Sequence, residues 1–364
     1  MEKSLPKHTA ENLRPPLTNI GIIGWMKANL FNGWFNSALT LLVTYMLWLL
    51  VPPLISWAFI NSSWLPSGDQ CQAGGGACWS VVTANIRFII FGFYPHELQW
   101  RPLVAMIILI ALLFYSQNRS HWRKSLFYAW TLGLFVMGVL LRGGVLGFRG
   151  VESNLWGGLP LTLLLSVFGL TAAYPVGVLL ALGRQSKLPI IKSFSVVYIE
   201  LIRGVPLISL LFMSSVVFPL FLPEGLVINK ILRAQIAIIL FTAAYIAEVV
   251  RGGLQGVGKG QYEAADSLGL NYFQTMRLII LPQALKIVIP PSVSILISAF
   301  KDTSLVVIIA LYDLLKTTQT TLSDPKWMGY SAEAYIFVAL IYFVCCFAMS
   351  NYSRRLEREL DTSL

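Results

Sequence analysis

Charge is what this sequence has least of. Only 12% of its 364 residues are Asp, Glu, Lys or Arg, where a soluble domain carries about a quarter. A water-facing surface needs charge to stay dissolved. The deficit therefore excludes a freely soluble globular protein and leaves lipid as the solvent, in keeping with a hydrophobic content of 56% and a mean hydropathy of +0.69. Histidine is also scarce. His8, His96 and His121 fall in three separate segments, so no metal site is expected. There are four cysteines, too few for a disulfide-built scaffold. Cys345 and Cys346 lie in an apolar run and read as small apolar residues. Cys71 and Cys78 flank a short glycine-bearing loop. They form a disulfide if that loop faces an oxidising compartment, and are free thiols otherwise. The net charge of +10 is spread in small groups between apolar runs. That excludes a basic nucleic-acid face and leaves membrane orientation as its role.

What the chain has is long apolar runs. A spanning helix needs roughly 20 apolar residues. Candidates lie at about 37–60, 102–117, 126–141, 160–182, 205–222, 231–250, 284–300 and 334–351. The fold class is an all-α integral membrane protein of about eight helices, with a kink expected at Pro52-Pro53. About 36 residues precede the first run and show no cleavage site, so no signal peptide is expected. Within them, Gly21 to Trp34 reads either as an interfacial helix or as a loosely ordered tail. With the N-terminus in the cytoplasm, 18 of the 27 Lys and Arg residues fall inside and 9 outside, which follows the positive-inside rule. An even helix count returns the C-terminus to the cytoplasm.

Gly253 followed by Gly258-Lys259 resembles a phosphate-binding loop. Gly260 stands where a magnesium-holding hydroxyl belongs, and an apolar span precedes it in place of a strand. The match is set aside, so any ATP and magnesium belong to a partner subunit and this chain carries no cofactor. Between Arg251 and Lys286 the apolar pattern stops. Tyr262, Ala265 and Leu268 form a narrow apolar stripe on a short helix. Gly269 suits a left-handed cap, and Asn271 with Gln274 suits a capping box that opens the next helix. Pro282 interrupts that helix or turns it into the following span.

The run Glu263-Ala264-Ala265, three residues, Gly269, nine residues, Ile279, one residue, Leu281-Pro282 resembles the coupling-loop signature of ABC transporter permease subunits. Tyr198 to Leu207, Tyr245 to Gly253 and Lys301 to Leu305 are similar to the polar amino acid branch of that family. The extended N-terminus is similar to the general L-amino-acid permeases. The resemblance implies a five-helix core at 150–355 with a coupling loop at 251–286. Before the core come a three-span extension at 37–149 and a cytoplasmic segment at 1–36; a tail follows at 356–364. It also implies a bacterial inner-membrane importer subunit for polar L-amino acids. Its partners would be two ATPase subunits, a second permease (the same or a sister chain), a periplasmic binding protein and membrane lipid. Glu263, Ala264, Ala265, Gly269, Leu281 and Pro282 would carry ATPase coupling.

Two further clusters are candidates. Glu200 with Arg203 and Glu248 with Arg251 repeat a Glu-x-x-Arg-Gly pattern. At a spacing of three they read as interfacial ion pairs, or more sharply as a gate element beside Gly204 and Pro206. Lys301, Asp302, Thr303 and Ser304 interrupt an apolar run. They read either as part of a substrate pathway, with Asp302 facing an ammonium group, or as a fixed helix end at the outer interface. The rival function is an ion-coupled secondary transporter or channel, which would leave the coupling signature unexplained. No nucleophile or metal constellation suggests an enzyme.

Overall fold

The computed structural model describes residues 21–65, 71, 75–145 and 147–361. Lys3, Lys7, His8 and Arg14, and the tail residues 362–364, lie outside the described residues. The chain forms two compact units, Met1–Cys78 and Trp79–Leu364.

In the first unit, α1 (Gly21–Asn29) precedes α2 (Trp34–Ile55). Ser37 and Thr44 in α2 donate their hydroxyls to the carbonyls four residues back, both at 2.8 Å. Their polar atoms are thereby satisfied within the helix, as lipid requires. Pro52 and Pro53 do not break the span. Trp34–Ile60 runs as one stretch of 27 residues, and a widened turn at Ser56–Ile60 follows the prolines. Beyond it, Cys71 and Cys78 are disulfide-bonded with their Cα atoms 5.4 Å apart. A Cβ on Gly76 would overlap the Asn61 carbonyl, so this loop closes only with glycine there.

The extended elements of the second unit are all helices among the described residues. It comprises α3 (Ser80–Phe91), α4 (Trp100–Ser116), α5 (Lys124–Arg142), α6 (Gly158–Arg184), α7 (Pro189–Gly204), α8 (Leu207–Phe212), α9 (Lys230–Gly256), α10 (Lys259–Ser267), α11 (Tyr272–Thr275), α12 (Leu281–Asp302), α13 (Leu314–Leu322) and α14 (Ser331–Asp361). The central pair is α6 and α9. A Cβ on Gly177 would lie 2.7 Å from Ile246 Cγ2, and one on Gly169 would lie 2.9 Å from Ile238 Cγ2. Bare backbone on α6 thus receives the branched side chains of α9. Ala173, Ala181, Ala243, Ala244 and Ala247 extend the same close approach and are fully buried. In lipid, where apolar burial gives helices little reason to associate, this dispersion contact holds a bundle together.

Among the described residues, seven helices are long and apolar enough to cross a membrane, or eight if one bent pair counts as a span. The bent pair corrects the expectation of a simple span at 205–222. Pro189–Gly204 and Leu207–Phe221 meet at 105°. Pro206 has no amide hydrogen to continue the ladder and disfavours helix in the residue before it. A second correction concerns the segment before α4. The expected loop contains α3, whose Val81 and Ile89 are fully buried in contact with α6, α13 and α14. α3, α4 and α5 belong to the same compact unit as the helices that follow them.

Candidate functional site

After α9, Gly258 caps α10 and Tyr262 donates its hydroxyl to the Leu254 carbonyl at 3.3 Å. Ala265 is fully buried, and Tyr262 packs against the cluster that holds Val250, Leu254, Met276 and Ile280. Burial raises the Tyr262 phenol above its usual range. Gly269 ends the helix at φ 72. Its amide donates to Asp266 O at 3.0 Å, and Leu270 N donates to Ala265 O at 3.2 Å, a left-handed reversal that satisfies the last carbonyls. Asn271 then accepts from Gln274 N at 2.9 Å while Gln274 Oε1 accepts from Asn271 N at 3.0 Å, forming a complete capping box. Gln283 Nε2 donates to Gln261 Oε1 at 3.1 Å, tying α10 to the first turn of α12. Leu281 and Pro282 form that turn, which continues the chain through the wide turn Met276–Ile280 into one 38-residue span, Tyr272–Ile309.

The apolar stripe is split. Tyr262 and Ala265 seat the helix on its own protein, whereas Leu268 is 75% exposed and faces away. Glu263 and Ala264 are exposed beside it, followed by Tyr272 at 59% and Phe273 at 67% exposure. The loop thus exposes two carboxylates, Glu263 and Asp266, a small residue and three large apolar side chains.

Five charged residues converge where α6, α7 and α9 meet. Arg251 donates Nε to Glu248 Oε1 at 2.9 Å. Arg184 reaches Glu248 Oε2 at 3.4 Å and Arg203 reaches it at 3.7 Å. Arg203 also lies over the Tyr245 ring, 5.6 Å from its centroid. Glu200 does not pair with Arg203 within α7, as the spacing suggested; it turns to Arg184, at 2.9 Å. The Glu248–Arg251 pair within α9 is present and sits in one network in which Glu248 serves three arginines. Such a network could not be read from either motif, because Arg184 lies 64 residues from Glu248.

The third cluster sits at the end of α12. Lys301 is exposed, Asp302 half-buried and Thr303 fully buried. Among the described residues no ion pair joins Lys301 to Asp302. Thr303 Oγ1 donates to Phe300 O at 2.7 Å and Ser304 Oγ to Lys301 O at 2.8 Å, so these hydroxyls close the helix. A tighter turn, Thr303–Ile309, ends at Ala310, whose φ of 54 is left-handed. Asp313, unremarked in the sequence, follows as a fully buried cap. It accepts Lys316 N at 3.0 Å, Leu315 N at 3.2 Å and the Tyr342 hydroxyl at 3.5 Å.

Residues 173–362 match the family described as binding-protein-dependent transport system inner membrane component. The chain is 47% identical to the inner membrane amino-acid ABC transporter permease protein YhdY of Escherichia coli, covering 93% of each chain. It is 39% identical to the glutamate/glutamine/aspartate/asparagine transport system permease protein BztC of Rhodobacter capsulatus, covering 95% of each. A crystal structure of an amino acid ABC transporter with histidines matches at 33% identity and a TM-score of 0.50, over 56% of this chain and 92% of the solved one.

Proposed function

The chain belongs to the family of inner-membrane components of binding-protein-dependent transport systems, and from that membership we propose that it imports polar L-amino acids, those with acidic and amide side chains included. It is the permease component of an ABC-type amino-acid import system, acts with separate ATPase subunits and is not itself a catalyst. The ion-coupled or channel alternative has no use for such a partner. The substrate range draws on the relative named for glutamate, glutamine, aspartate and asparagine.

The observation that carries the coupling role is the split of α10. Tyr262 and Ala265 bind it to the permease, while Glu263, Ala264 and Leu268 face outward with Tyr272 and Phe273. A seated helix with an exposed amphipathic face suits a groove on a second protein. On this reading the loop 251–286 docks on one of two ATPases. A second permease subunit completes the path, a periplasmic binding protein delivers the amino acid, and both termini lie in the cytoplasm. Glu263 meets a cation of the ATPase or the positive end of one of its helices. Asp302 stands on the substrate path, and the Glu248 network braces α6, α7 and α9 at their cytoplasmic ends.

The test is to isolate the intact complex from membranes, identify its subunits and reconstitute it in vesicles. The expected result is an ATPase in the complex and amino-acid uptake that needs ATP and the binding protein. Uptake driven by an ion gradient without ATP would sink the reading.

A further inference from the structure

A cavity of about 1160 Å³ opens between the end of α5, the loop leading into α6, the start of α9 and the turn Ala310–Tyr312. It is outside all the motifs described above. Its inner wall holds Trp156, Arg233 and Gln235. Gln235 is only 8% exposed. Its Nε2 donates to Leu165 O at 3.2 Å, but its Oε1 is shielded from solvent and has no hydrogen-bond partner. Trp156 Nε1 and Arg233 Nε are shielded and unpartnered in the same way, although Arg233 also donates a terminal nitrogen to Ser215 O. Three residues of the wall therefore each carry a shielded polar atom without a partner, and buried polar atoms are seldom left so.

The rim is charged. Arg142 and Lys230 are exposed there, as is Glu152, whose carboxylate accepts from Asn154 Nδ2 at 3.0 Å. Among the described residues none of Arg142, Lys230 and Arg233 forms a salt bridge. The start of α9 also opens on the cavity through Lys230, Ile231 and Leu232, adding the positive end of a 27-residue helix. Three cations face one carboxylate in a concave site with an apolar floor. Such a shape concentrates field and draws anions.

The wall is built in advance of any ligand. In the loop after α5, Val151 N donates to Arg142 O at 2.7 Å and Gly144 N to Phe148 O at 2.9 Å. Arg101 pins it from α4, donating to Arg149 O at 2.7 Å with its guanidinium 5.0 Å from the Phe148 ring centroid. A preformed wall spares a ligand the entropy of ordering it.

We propose that this cavity is a capture site for amino acids of net negative charge. The site rests on the reading of the chain as an amino-acid importer and adds a substrate preference to it. The two carboxylates of a dicarboxylic amino acid face Arg142, Lys230 and Arg233, and its ammonium faces Glu152. A neutral amide analogue keeps one carboxylate and the ammonium but leaves one cation without a partner.

The test is equilibrium binding of labelled glutamate and labelled glutamine to the purified permease–ATPase complex without the binding protein. The wild type is expected to hold glutamate more tightly than glutamine, and added salt should weaken glutamate more. Lys230→Gln and Arg142→Gln alter exposed side chains. Each should weaken glutamate roughly fivefold to tenfold and glutamine less than about twofold. Arg233→Lys should restore part of what Arg233→Gln loses. Equal losses for both ligands, or none for either, would overturn the site. So would variants that leave binding intact and instead impair stimulation by the binding protein, since the cations would then serve docking. Vesicle uptake separates the two levels. If the wild-type complex imports no amino acid, the importer reading fails; if it imports with a selectivity that the variants leave unchanged, only the capture site fails.

Discussion

Thr317 donates its hydroxyl to the carbonyl oxygen of Ile89 at 2.8 Å across 228 residues of sequence. The bond joins α3, which precedes the residues that match the family, to α13, which lies among them. Two neighbours tighten the joint. Gly158 N donates to Tyr312 O at 2.7 Å, and a Cβ on Gly158 would overlap the Ile90 carbonyl. One of the carbonyls that a helix terminus leaves without partners, that of Ile89, is thus met by α13.

Replacing Thr317 with Val keeps the shape and removes the donor. The expected cost is about 1 kcal/mol, read as a lower midpoint of thermal unfolding in detergent. Gly158→Ala should cost more, at least about 2 kcal/mol, because it adds a backbone overlap to a φ of 63. Equal, negligible effects from both would mean that the joint bears no load.

Glu248→Gln should destabilise more than Glu200→Gln. The first substitution withdraws the carboxylate that three arginines share and the second removes one contact of Arg184. Roughly 2 kcal/mol is expected for Glu248, since partly buried arginines are left facing one another. For the more exposed Glu200 the expectation is under about 1 kcal/mol. Thermal unfolding of the two variants side by side decides it, and the opposite order would remove Glu248 from the centre of the network.

At Gly269, φ is 72 and the space around a Cβ is empty, so strain is the only obstacle to a side chain. Gly269→Val should reduce transport and ATPase assembly while leaving membrane insertion intact. Gly269→Asn, a residue that tolerates the left-handed region, should retain most of both. If the valine variant assembles and transports as well as wild type, the reversal is not needed for coupling.

Burial pushes the Asp313 carboxyl up to about 6, against the backbone amides of Lys316 and Leu315 that favour its ionised form. A folded-state value above the ordinary 3.8 means that the folded protein binds the proton more tightly. The stabilisation is complete below the unfolded value and is lost as pH rises through about 6. Asp313→Asn keeps an acceptor for the cap and should flatten this part of the stability–pH curve. Asp313→Ala should flatten it too and, by losing the cap, should lie about 1 kcal/mol below Asp313→Asn at every pH. Unfolding midpoints measured from pH 4 to pH 7 in wild type and both variants test it, and an unchanged slope in Asp313→Asn would assign the dependence elsewhere.

The coupling loop was legible because its signals are local. A glycine at a helix end and an Asn–Gln pair three residues apart act through their own backbone, so Gly269 and the Asn271–Gln274 box could be expected from spacing alone. The long spans were legible for a similar reason: each is apolar over its own length. Helix α3 was not, since its 12 residues are too few to cross a bilayer and its burial depends on α6, α13 and α14 being beside it. The choice of Arg184 by Glu200 and the assembly of the cavity from four distant segments likewise depend on tertiary placement. Leu268 parts from Tyr262 and Ala265 because three positions define a stripe without saying which of them meets the chain's own core.

The corner between α7 and α8 has a mechanical consequence. Helical bonding falters at Val205 N to Ile202 O, 3.4 Å long, and resumes with Ser209 N to Pro206 O at 3.0 Å; Pro206 offers no hydrogen between them. A continuous helix transmits twist and bending along its whole length because each turn is bonded to the next. Here the ladder is interrupted, so torque applied to the arm that carries Glu200 and Arg203 reaches the arm beginning at Leu207 mainly through neighbouring helices. The chain places an articulated joint where eight uninterrupted rods would have given a stiffer frame.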